Sequence, residues 1–243
     1  MPSTTPNIPV KGMIETSFID WRGHIASVLF LGGCNFRCPF CHNKDLVLTP
    51  TEMVDIPLDH IILILRRYKR WVERVVISGG EPTIHKELSY LAEKIKGEGL
   101  LIKLDTNGSN PSMIKALVKD GLIDYIAMDI KGPLIKYNRW CGVEVDIGKI
   151  EESIRFIMEG HVDYEFRMTV VPFFHKEEDC YEICDYIKGA KRFFIQNFRP
   201  INTLNPAFSN IRPFSEEKIR LIMENVLDRM ASSWTRHKTI KQP

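Results

Sequence analysis

Three cysteines lie within eight residues of one another, a spacing that lets their thiols converge on one metal centre. They are Cys34, Cys38 and Cys41, and Gly32 and Gly33 stand immediately before them. Thiolates bind iron–sulfur clusters and zinc, but zinc sites usually take their cysteines as two separated pairs. Three cysteines on a four-iron cluster would leave one iron open for chemistry. The spacing favours an iron–sulfur centre and leaves a zinc site with one histidine as the alternative.

Further groups of chemically active residues follow, or lie within, apolar segments that have the character of strands. They are Gly79-Gly80-Glu81, Asp105-Thr106, Asp129 with Lys131, and Arg167. Taken alone, each is compatible with a turn, a helix cap or a core ion pair. Ligands of parallel α/β sheets bind at the carboxyl ends of the strands, and most of these groups share that placement. The sequence therefore predicts one binding site, in which Glu81 offers a negative charge to an ammonium group.

The elements that must position these residues alternate between strand and helix patterns. Short apolar runs alternate with segments whose apolar residues recur at helical spacing, in six strand–helix units. The strands are predicted at His24–Phe30, Val75–Ile77, Leu101–Leu104, Ile123–Ile130, Tyr164–Val171 and Phe193–Phe198. This alternation predicts a parallel sheet with right-handed crossovers. Eight units would close a barrel, so six indicate a laterally open, partial (β/α)6 TIM-like barrel, with a doubly wound sheet as the alternative.

Composition and charge limit the classes of protein to which the chain can belong. It has 243 residues, of which 44% are hydrophobic and 26% charged, as in an ordinary globular domain. A net charge of +2 argues against a nucleic-acid binder, and the apolar run Ile61–Leu65 is too short to span a membrane. The start lacks a signal-peptide pattern, so we expect a cytoplasmic protein with reduced cysteines. We predict a single domain over 11–232 between tails at 1–10 and 233–243.

The cysteine spacing and its surroundings resemble a known family. The Cys-x-x-x-Cys-x-x-Cys pattern, with Phe40 before the last cysteine, resembles the radical S-adenosylmethionine (SAM) enzymes. The wider string, from Ile19-Asp20 through Cys34-Asn35-Phe36-Arg37-Cys38-Pro39-Phe40-Cys41-His42-Asn43, is similar to the branch that activates glycyl-radical enzymes. The resemblance extends over about residues 12–200. It implies a radical SAM core in which Cys34, Cys38 and Cys41 hold a 4Fe-4S cluster.

The resemblance also implies an activity and partners. One electron from flavodoxin or ferredoxin would cleave SAM at the cluster into methionine and a 5′-deoxyadenosyl radical. In this branch the radical installs a glycyl radical on a separate enzyme, of the anaerobic ribonucleotide reductase or pyruvate formate-lyase type. Such enzymes work under anaerobic conditions, and the expected partners include neither nucleic acid nor a membrane. The alternatives are a radical SAM enzyme acting on another peptide or a small molecule, and a zinc-binding interaction module.

The resemblance assigns roles to the residues around the cysteines. It implies cofactor contacts for Phe40, Gly79, Gly80, Glu81, Lys131 and Arg167, and a monovalent cation held by Asp105, Thr106 and Asp129. The Gly-Gly-Glu motif would grip the methionine amino group. Where the related pyruvate formate-lyase activator has a histidine, this chain has Gln196 and Arg199, of which Arg199 is a predicted cofactor contact.

Two other features bear on partners and on the remaining thiols. Asp20 matches a residue that contacts the target peptide in the related activator, whereas Trp21 and Arg22 depart from it, which leaves the identity of the partner open. Cys180 and Cys184 lie at helical core spacing, so we interpret them as small apolar residues. Cys141 receives no role from the sequence.

Overall fold

Strands that are neighbours in sequence are also neighbours in space. The computed structural model describes the backbone of residues 8–238 and the side chains of residues 8–231. Within that part of the chain, seven strands form one sheet in the order β1 to β7. They are β1 (Val10–Trp21), β2 (His24–Leu31), β3 (Arg74–Gly79), β4 (Leu101–Thr106), β5 (Tyr125–Asp129), β6 (Asp163–Val170) and β7 (Phe193–Asn197). β1 pairs antiparallel with β2, and every later pair is parallel.

Helices connect the parallel strands, as the alternation in sequence predicts. The α-helices of the described residues are α1 (Lys44–Leu48), α2 (Leu58–Tyr68), α3 (Leu88–Gly97), α4 (Pro111–Lys119), α5 (Tyr137–Cys141), α6 (Ile147–Met158), α7 (Glu177–Tyr186) and α8 (Glu216–Lys238). The Asn110 side chain accepts a hydrogen bond from the Met113 N–H at the start of α4, and Pro111 occupies its first turn. Ser215 caps α8 in the same way, because its hydroxyl oxygen accepts a hydrogen bond from the Lys218 N–H.

The sheet forms an open half-barrel, which confirms the predicted partial (β/α)6 architecture. The sequential strand order decides against the doubly wound alternative, because a doubly wound sheet reverses its strand order at a switch point. β1 and β7 are the two edges of the sheet. The six parallel strands, β2 to β7, all overlap the predicted ones.

The two faces of the sheet contribute to two different apolar clusters. Leu29 and Ile77 belong to the main core beneath the helices. Val28 and Val76, whose side chains point the opposite way, pack in a small second cluster with Trp21. Trp21 comes from the β1–β2 hairpin, which therefore fills part of the concave side of the half-barrel.

The antiparallel strand β1 is an element that the sequence pattern did not predict. Its pairing with β2 shifts register at three places along its length. These irregularities break the period-2 alternation by which a half-buried strand is recognised. Its apolar residues Phe18 and Ile19 are exposed rather than buried. An edge strand with an irregular register and exposed apolar residues lacks the alternating pattern that predicts a strand.

The described residues include the whole of the predicted domain, 11–232, and part of each predicted tail. β1 begins at Val10, and α8 continues through Lys238. Residues 1–7 and 239–243 of the predicted tails lie outside the described residues. No helix in the described part of the chain combines the length and the apolar character needed to cross a membrane.

Candidate active site

The three clustered cysteines open onto one cavity at the carboxyl ends of the parallel strands. The cavity has a volume of about 370 Å³, and Cys34, Cys38 and Cys41 all line it. The loop that carries them begins where β2 ends. Burial raises the pKa of the Cys34 thiol to about 12 and also raises the pKa of Cys41. Holding these sulfurs as thiolates therefore requires a bound metal centre or nearby positive charge.

A segment after β7 pairs with the cysteine loop from outside. The Leu204 N–H donates to the Cys41 carbonyl at 2.9 Å, and the Asn205 N–H donates to the Pro39 carbonyl at 2.9 Å. The His42 ring donates to the Arg199 carbonyl at 2.7 Å. Arg199 thus contacts the loop through its backbone, whereas Gln196 is the residue of this region that lines the cavity.

Gly79 and Gly80 bring the end of β3 against the cysteine loop. The Asn43 side chain donates to the Gly79 carbonyl at 2.6 Å, and the Glu81 N–H donates to the Gly33 carbonyl at 2.9 Å. A Cβ at Gly80 would lie 1.9 Å from the Gly33 oxygen and 3.2 Å from the Cys34 Cβ. The approach of the two loops is therefore possible only with glycine at position 80.

The Glu81 carboxylate is held by the protein itself. Its Oε1 accepts from the Thr83 N–H at 3.1 Å, the Thr83 hydroxyl at 2.5 Å and the Thr106 hydroxyl at 2.7 Å. Its Oε2 accepts from the Asn107 N–H at 2.6 Å. Burial raises its pKa, and these hydrogen bonds act in the opposite direction. Glu81 therefore ties the end of β3 to the end of β4, and its contact with a methionine amino group stays a prediction.

We expect Glu81→Gln to destabilise the cofactor-free protein by about 2–3 kcal/mol. The variant keeps the shape of the side chain. Its NH2 group, however, must face one of the hydrogen-bond donors that now donate to the carboxylate, and two donors cannot bond to each other. Thermal unfolding of the cofactor-free protein measures the loss, with Glu144→Gln, at an exposed glutamate, as the matched control. Unchanged stability together with weakened SAM binding would instead make Glu81 a pure cofactor ligand.

A network of alternating charges lies beside the cysteines. Arg167 donates to Asp129 at 2.8 Å and to Asp105 at 3.3 Å. Lys131 donates to Asp129 at 3.2 Å, and Lys103 lies 3.4 Å from Asp105. Burial would raise the pKa of Asp129, but Arg167 and Lys131 together lower it to about 2. The Asp129 carboxylate is therefore charged, and both carboxylates of this network are bound by cations of the chain.

The β1–β2 hairpin brings a further carboxylate to the cavity. Asp20 lines it, and its backbone carbonyl accepts from the Lys103 ammonium at 2.6 Å. The Asp20 carboxylate is hydrogen-bonded by the Ser17 hydroxyl. The Arg22 guanidinium stacks 4.3 Å from the centre of the Phe194 ring of β7, so the hairpin reaches across the half-barrel.

Comparison with known protein families decides what this cavity is. The sequence profile of the Radical SAM superfamily matches residues 28–187, which include the cysteine loop and most of the cavity. The chain belongs to the radical SAM superfamily. Members of this superfamily use a 4Fe-4S cluster and SAM, and this decides for the iron–sulfur centre over the zinc alternative.

Relatives of this radical SAM enzyme carry different names. A Methanocaldococcus jannaschii protein, provisionally named a glycyl-radical enzyme activating enzyme, is 32% identical over 221 residues, 87% of this chain and 88% of its own. The 7-carboxy-7-deazaguanine synthase of Neisseria meningitidis is 32% identical over 134 residues, 54% of this chain and 53% of its own. Among solved structures, Streptococcus suis SuiB bound to SAM superposes with a TM-score of 0.64 at 20% identity, covering 82% of this chain. The chain spans 46% of SuiB, and this likeness concerns the fold.

The residues of the cavity fit the cluster and SAM. Three thiols share its lining with the backbone of Gly79 and Gly80. Lys131 also lines the cavity, and its charge favours the thiolate forms of Cys38 and Cys41. When bound, the cluster and SAM supply one-electron cleavage of the sulfonium group. The chain contributes the ligands, the positive charge and the walls of the cavity.

The carboxylates predicted to hold a monovalent cation are paired with Arg167. Asp105 and Asp129 are the carboxylates that would hold it, and both are bound by Arg167. The Thr106 hydroxyl donates to Glu81 instead. Among the residues whose side chains are described, no three His, Cys, Asp or Glu residues are grouped to hold a single ion. A cation here would have to share these carboxylates with Arg167, and its binding stays a prediction.

The Phe40 ring anchors the cysteine loop in an aromatic cluster. It packs against Phe174 and His175, with ring centres 5.9 and 5.6 Å apart, and His175 stacks on Trp140 at 4.3 Å. His175 Nδ1 accepts from the Val171 N–H at 3.1 Å, and Nε2 donates to the Lys131 carbonyl at 2.9 Å. Both ring nitrogens are thus used in the neutral form. Burial lowers the pKa of His175 to about 4.

His175 should make the protein less stable as the pH falls from about 6.5 to about 4. In that range the unfolded chain binds a proton at this histidine and the folded chain does not, so protonation favours unfolding. The expected loss is on the order of 3 kcal/mol, and none of it arises above the unfolded-state pKa. Urea unfolding at several pH values measures it. The free energy of unfolding should depend less on pH in His175→Gln, but not in His60→Gln, a control at an exposed histidine.

The sequence pattern did not single out two residues that contact the site or the cysteine loop, Lys103 and Cys141. Lys103 is a charged residue within the apolar strand Leu101–Leu104, the same pattern that singled out Arg167. That pattern would have found it. Cys141 offers no such indication, because the contact of its carbonyl with the Arg37 N–H depends on how α5 packs against the cysteine loop.

Proposed function

We propose that this radical SAM enzyme activates a glycyl-radical enzyme. The 5′-deoxyadenosyl radical derived from SAM would take the Cα hydrogen atom of a glycine in a separate polypeptide, giving 5′-deoxyadenosine and a glycyl radical. Flavodoxin or ferredoxin would supply the electron. The observation that carries this proposal is the match to the M. jannaschii relative, which extends over 87% of this chain and 88% of that one.

The shape of the site supports a polypeptide substrate. The sheet ends at β1 and β7 without returning on itself, which leaves the half-barrel open on one side. A protruding loop can enter through such an opening. Asp20, on the hairpin that crosses the concave side, lines the cavity into which the glycine would be delivered.

The competing function is radical chemistry on a small molecule. It is favoured by the similarity to 7-carboxy-7-deazaguanine synthase, which covers 54% of this chain. This similarity leaves nearly half of the chain unmatched, including parts that the first relative does match. We therefore place glycyl-radical activation first.

The test is made under strictly anaerobic conditions in two steps. The protein is reconstituted with iron and sulfide, SAM and dithionite are added, and 5′-deoxyadenosine is quantified by chromatography. Purified anaerobic ribonucleotide reductase and, separately, pyruvate formate-lyase from the same organism are then added, and electron paramagnetic resonance (EPR) is recorded. A glycyl-radical doublet that needs both this protein and SAM supports the proposal. Formation of 5′-deoxyadenosine without a radical on either enzyme would contradict activation of these two types.

A further inference from the structure

A lysine is buried inside the half-barrel, in a layer that it shares with apolar and aromatic side chains. Lys103 of β4 is 3% exposed. Its neighbours in register are Val76 of β3 and Tyr125 of β5, which both belong to the second apolar cluster or pack against it. A buried lysine is rare because its removal from water is costly, and an apolar residue in such a place often gives equal stability. Stability alone therefore does not explain a lysine at this position.

The Lys103 ammonium reaches from this layer to the β1–β2 hairpin. It donates to the Asp20 carbonyl at 2.6 Å. It also lies 3.4 Å from the Asp105 carboxylate and 3.6 Å from the Glu165 carboxylate. Both carboxylates accept hydrogen bonds from other side chains as well, so neither depends on Lys103 alone. Lys103 therefore connects the middle of β4 with the hairpin that crosses the concave side.

The backbone around Asp20 is not fixed by regular strand pairing. β1 pairs with β2 at Ser17 and again at Trp21, with a shift of register between them. Such a shift releases residues from the ladder and turns their side chains in new directions. Phe18 and Ile19 are 71% and 86% exposed, whereas Asp20 lines the cavity. The ladder alone does not determine this orientation of Asp20.

A ring contact holds the residue next to Asp20, but it does not hold Asp20 itself. The Trp21 ring packs on the Tyr125 ring, with centres 5.6 Å apart. Packing contacts between rings tolerate a range of geometries, whereas a hydrogen bond is directional. The hydrogen bond from Lys103 is therefore the contact that fixes the backbone at Asp20.

The Asp20 carboxylate differs from the two other aspartates that line the cavity. Asp105 and Asp129 are both paired with Arg167. Among the residues whose side chains are described, Asp20 takes part in no ion pair, and its carboxylate accepts from the Ser17 hydroxyl. A carboxyl group has several acceptor sites. Asp20 can therefore accept a further hydrogen bond from a molecule that enters the cavity.

We propose that Lys103 is a positioning residue, which holds the hairpin against β4 so that the Asp20 carboxylate faces the cavity and accepts from an N–H group of the target polypeptide. The role of the polypeptide in this proposal rests on the proposed function. Lys103 is not among the residues that line the cavity, so it acts through Asp20 rather than on the substrate.

The first arm of the test needs no partner enzyme. Hydrogen–deuterium exchange is measured by mass spectrometry in the unaltered protein and in Lys103→Met, whose side chain is of similar length but has no donor. We expect the amides of residues 18–23 to exchange about fivefold faster in Lys103→Met, with those of α6 unchanged. Equal exchange of the hairpin in the two proteins would overturn the proposal, and so would an equal acceleration in α6.

Two further variants support this arm. Lys96→Met is the matched control, because Lys96 pairs with Asp124 at 2.9 Å and neither residue lines the cavity. It should leave the exchange of the hairpin unchanged. Lys103→Met combined with Glu165→Gln replaces the single variant if that one does not fold, because it removes a buried carboxylate together with the lysine.

The second arm measures KM and kcat for the partner enzyme on which the unaltered protein forms a glycyl radical. Each kcat is divided by the partner-free formation of 5′-deoxyadenosine in the same preparation, so that differences in cluster content cancel. We expect Lys103→Met to raise KM about fivefold, with this relative kcat changed less than about twofold, and Asp20→Asn to raise KM by a similar factor. The KM of the double variant should equal that of Asp20→Asn, because Lys103 acts through Asp20.

The outcomes separate this proposal from the proposed function. If the unaltered protein forms no radical on either enzyme, the proposed function fails, and the exchange arm alone decides whether Lys103 holds the hairpin. If radicals form, single effects that multiply to about 25-fold in the double variant would overturn the positioning role. A loss confined to kcat would overturn it as well. A faster-exchanging hairpin together with equal KM values in Asp20→Asn and the double variant supports it.

Discussion

Replacing any one of Cys34, Cys38 and Cys41 with alanine is expected to abolish both cluster incorporation and cleavage of SAM. The three thiols line the same cavity, and each variant removes one of the cluster's protein ligands. The amount of 5′-deoxyadenosine formed should fall to that of cluster-free protein. Iron and sulfide analysis after anaerobic reconstitution, followed by chromatography of the products, measures both losses in the same samples.

The matched control for these variants is Cys180→Ala. Cys180 is a fully buried thiol of α7, and burial raises its pKa to about 12, which is expected of a small apolar core residue. This variant should keep its iron and nearly all of its activity. If Cys180→Ala also lost the cluster, the assignment of α7 as a core helix would be wrong. If a variant of the loop cysteines retained a full cluster, the three-cysteine ligand set would be wrong.

Gly80→Ala is expected to have the second-largest effect, through shape rather than chemistry. The added methyl group would lie 1.9 Å from the Gly33 carbonyl oxygen, and the neighbouring atom is backbone rather than a flexible side-chain end. One of the two loops must therefore move. We expect a loss of about 3 kcal/mol of stability and a marked loss of iron. Overpacking commonly costs about 1–3 kcal/mol, and a clash with backbone atoms is relieved less easily than a clash with a flexible side chain.

Gly97→Ala is the matched control for Gly80→Ala. Gly97 is the last residue of α3, and a Cβ there would meet nothing within 4 Å. Alanine should therefore stabilise the protein by about 0.5–1 kcal/mol through its higher helix propensity. Thermal unfolding and iron content, measured side by side, separate the two variants. A fully loaded Gly80→Ala protein of unaltered stability would show that the two loops do not approach each other as closely as the structure places them.

Part of the site was predictable because it is encoded locally. The spacing of Cys34, Cys38 and Cys41 places three thiols in one short loop whatever the rest of the chain does. The alternation of strand and helix patterns likewise determined the parallel sheet and, through it, the edge at which Glu81 and Asp129 gather. Both features depend on neighbours in sequence.

The pairing of charges across strands could not be read from the sequence. The sequence leaves open whether Arg167 forms a core ion pair or contacts the cofactor. The register of β5 against β6 sets Asp129 opposite Arg167, which brings the two side chains into contact at 2.8 Å. Register is a property of the folded sheet, because it depends on how complete strands pack rather than on any one of them.

The sequence by itself indicated the family and the half-barrel, because these follow from short spacings and from the order of the elements, and it predicted the cluster ligands. Only the tertiary structure decided that Glu81 is held by Thr83, Thr106 and Asn107, and that the end of α5 packs against the cysteine loop through the Arg37 N–H and the Cys141 carbonyl. It also decided that β1 adds an irregular edge strand whose hairpin crosses the concave side. These features depend on contacts between residues far apart in the chain, which become fixed only when the sheet and its helices pack.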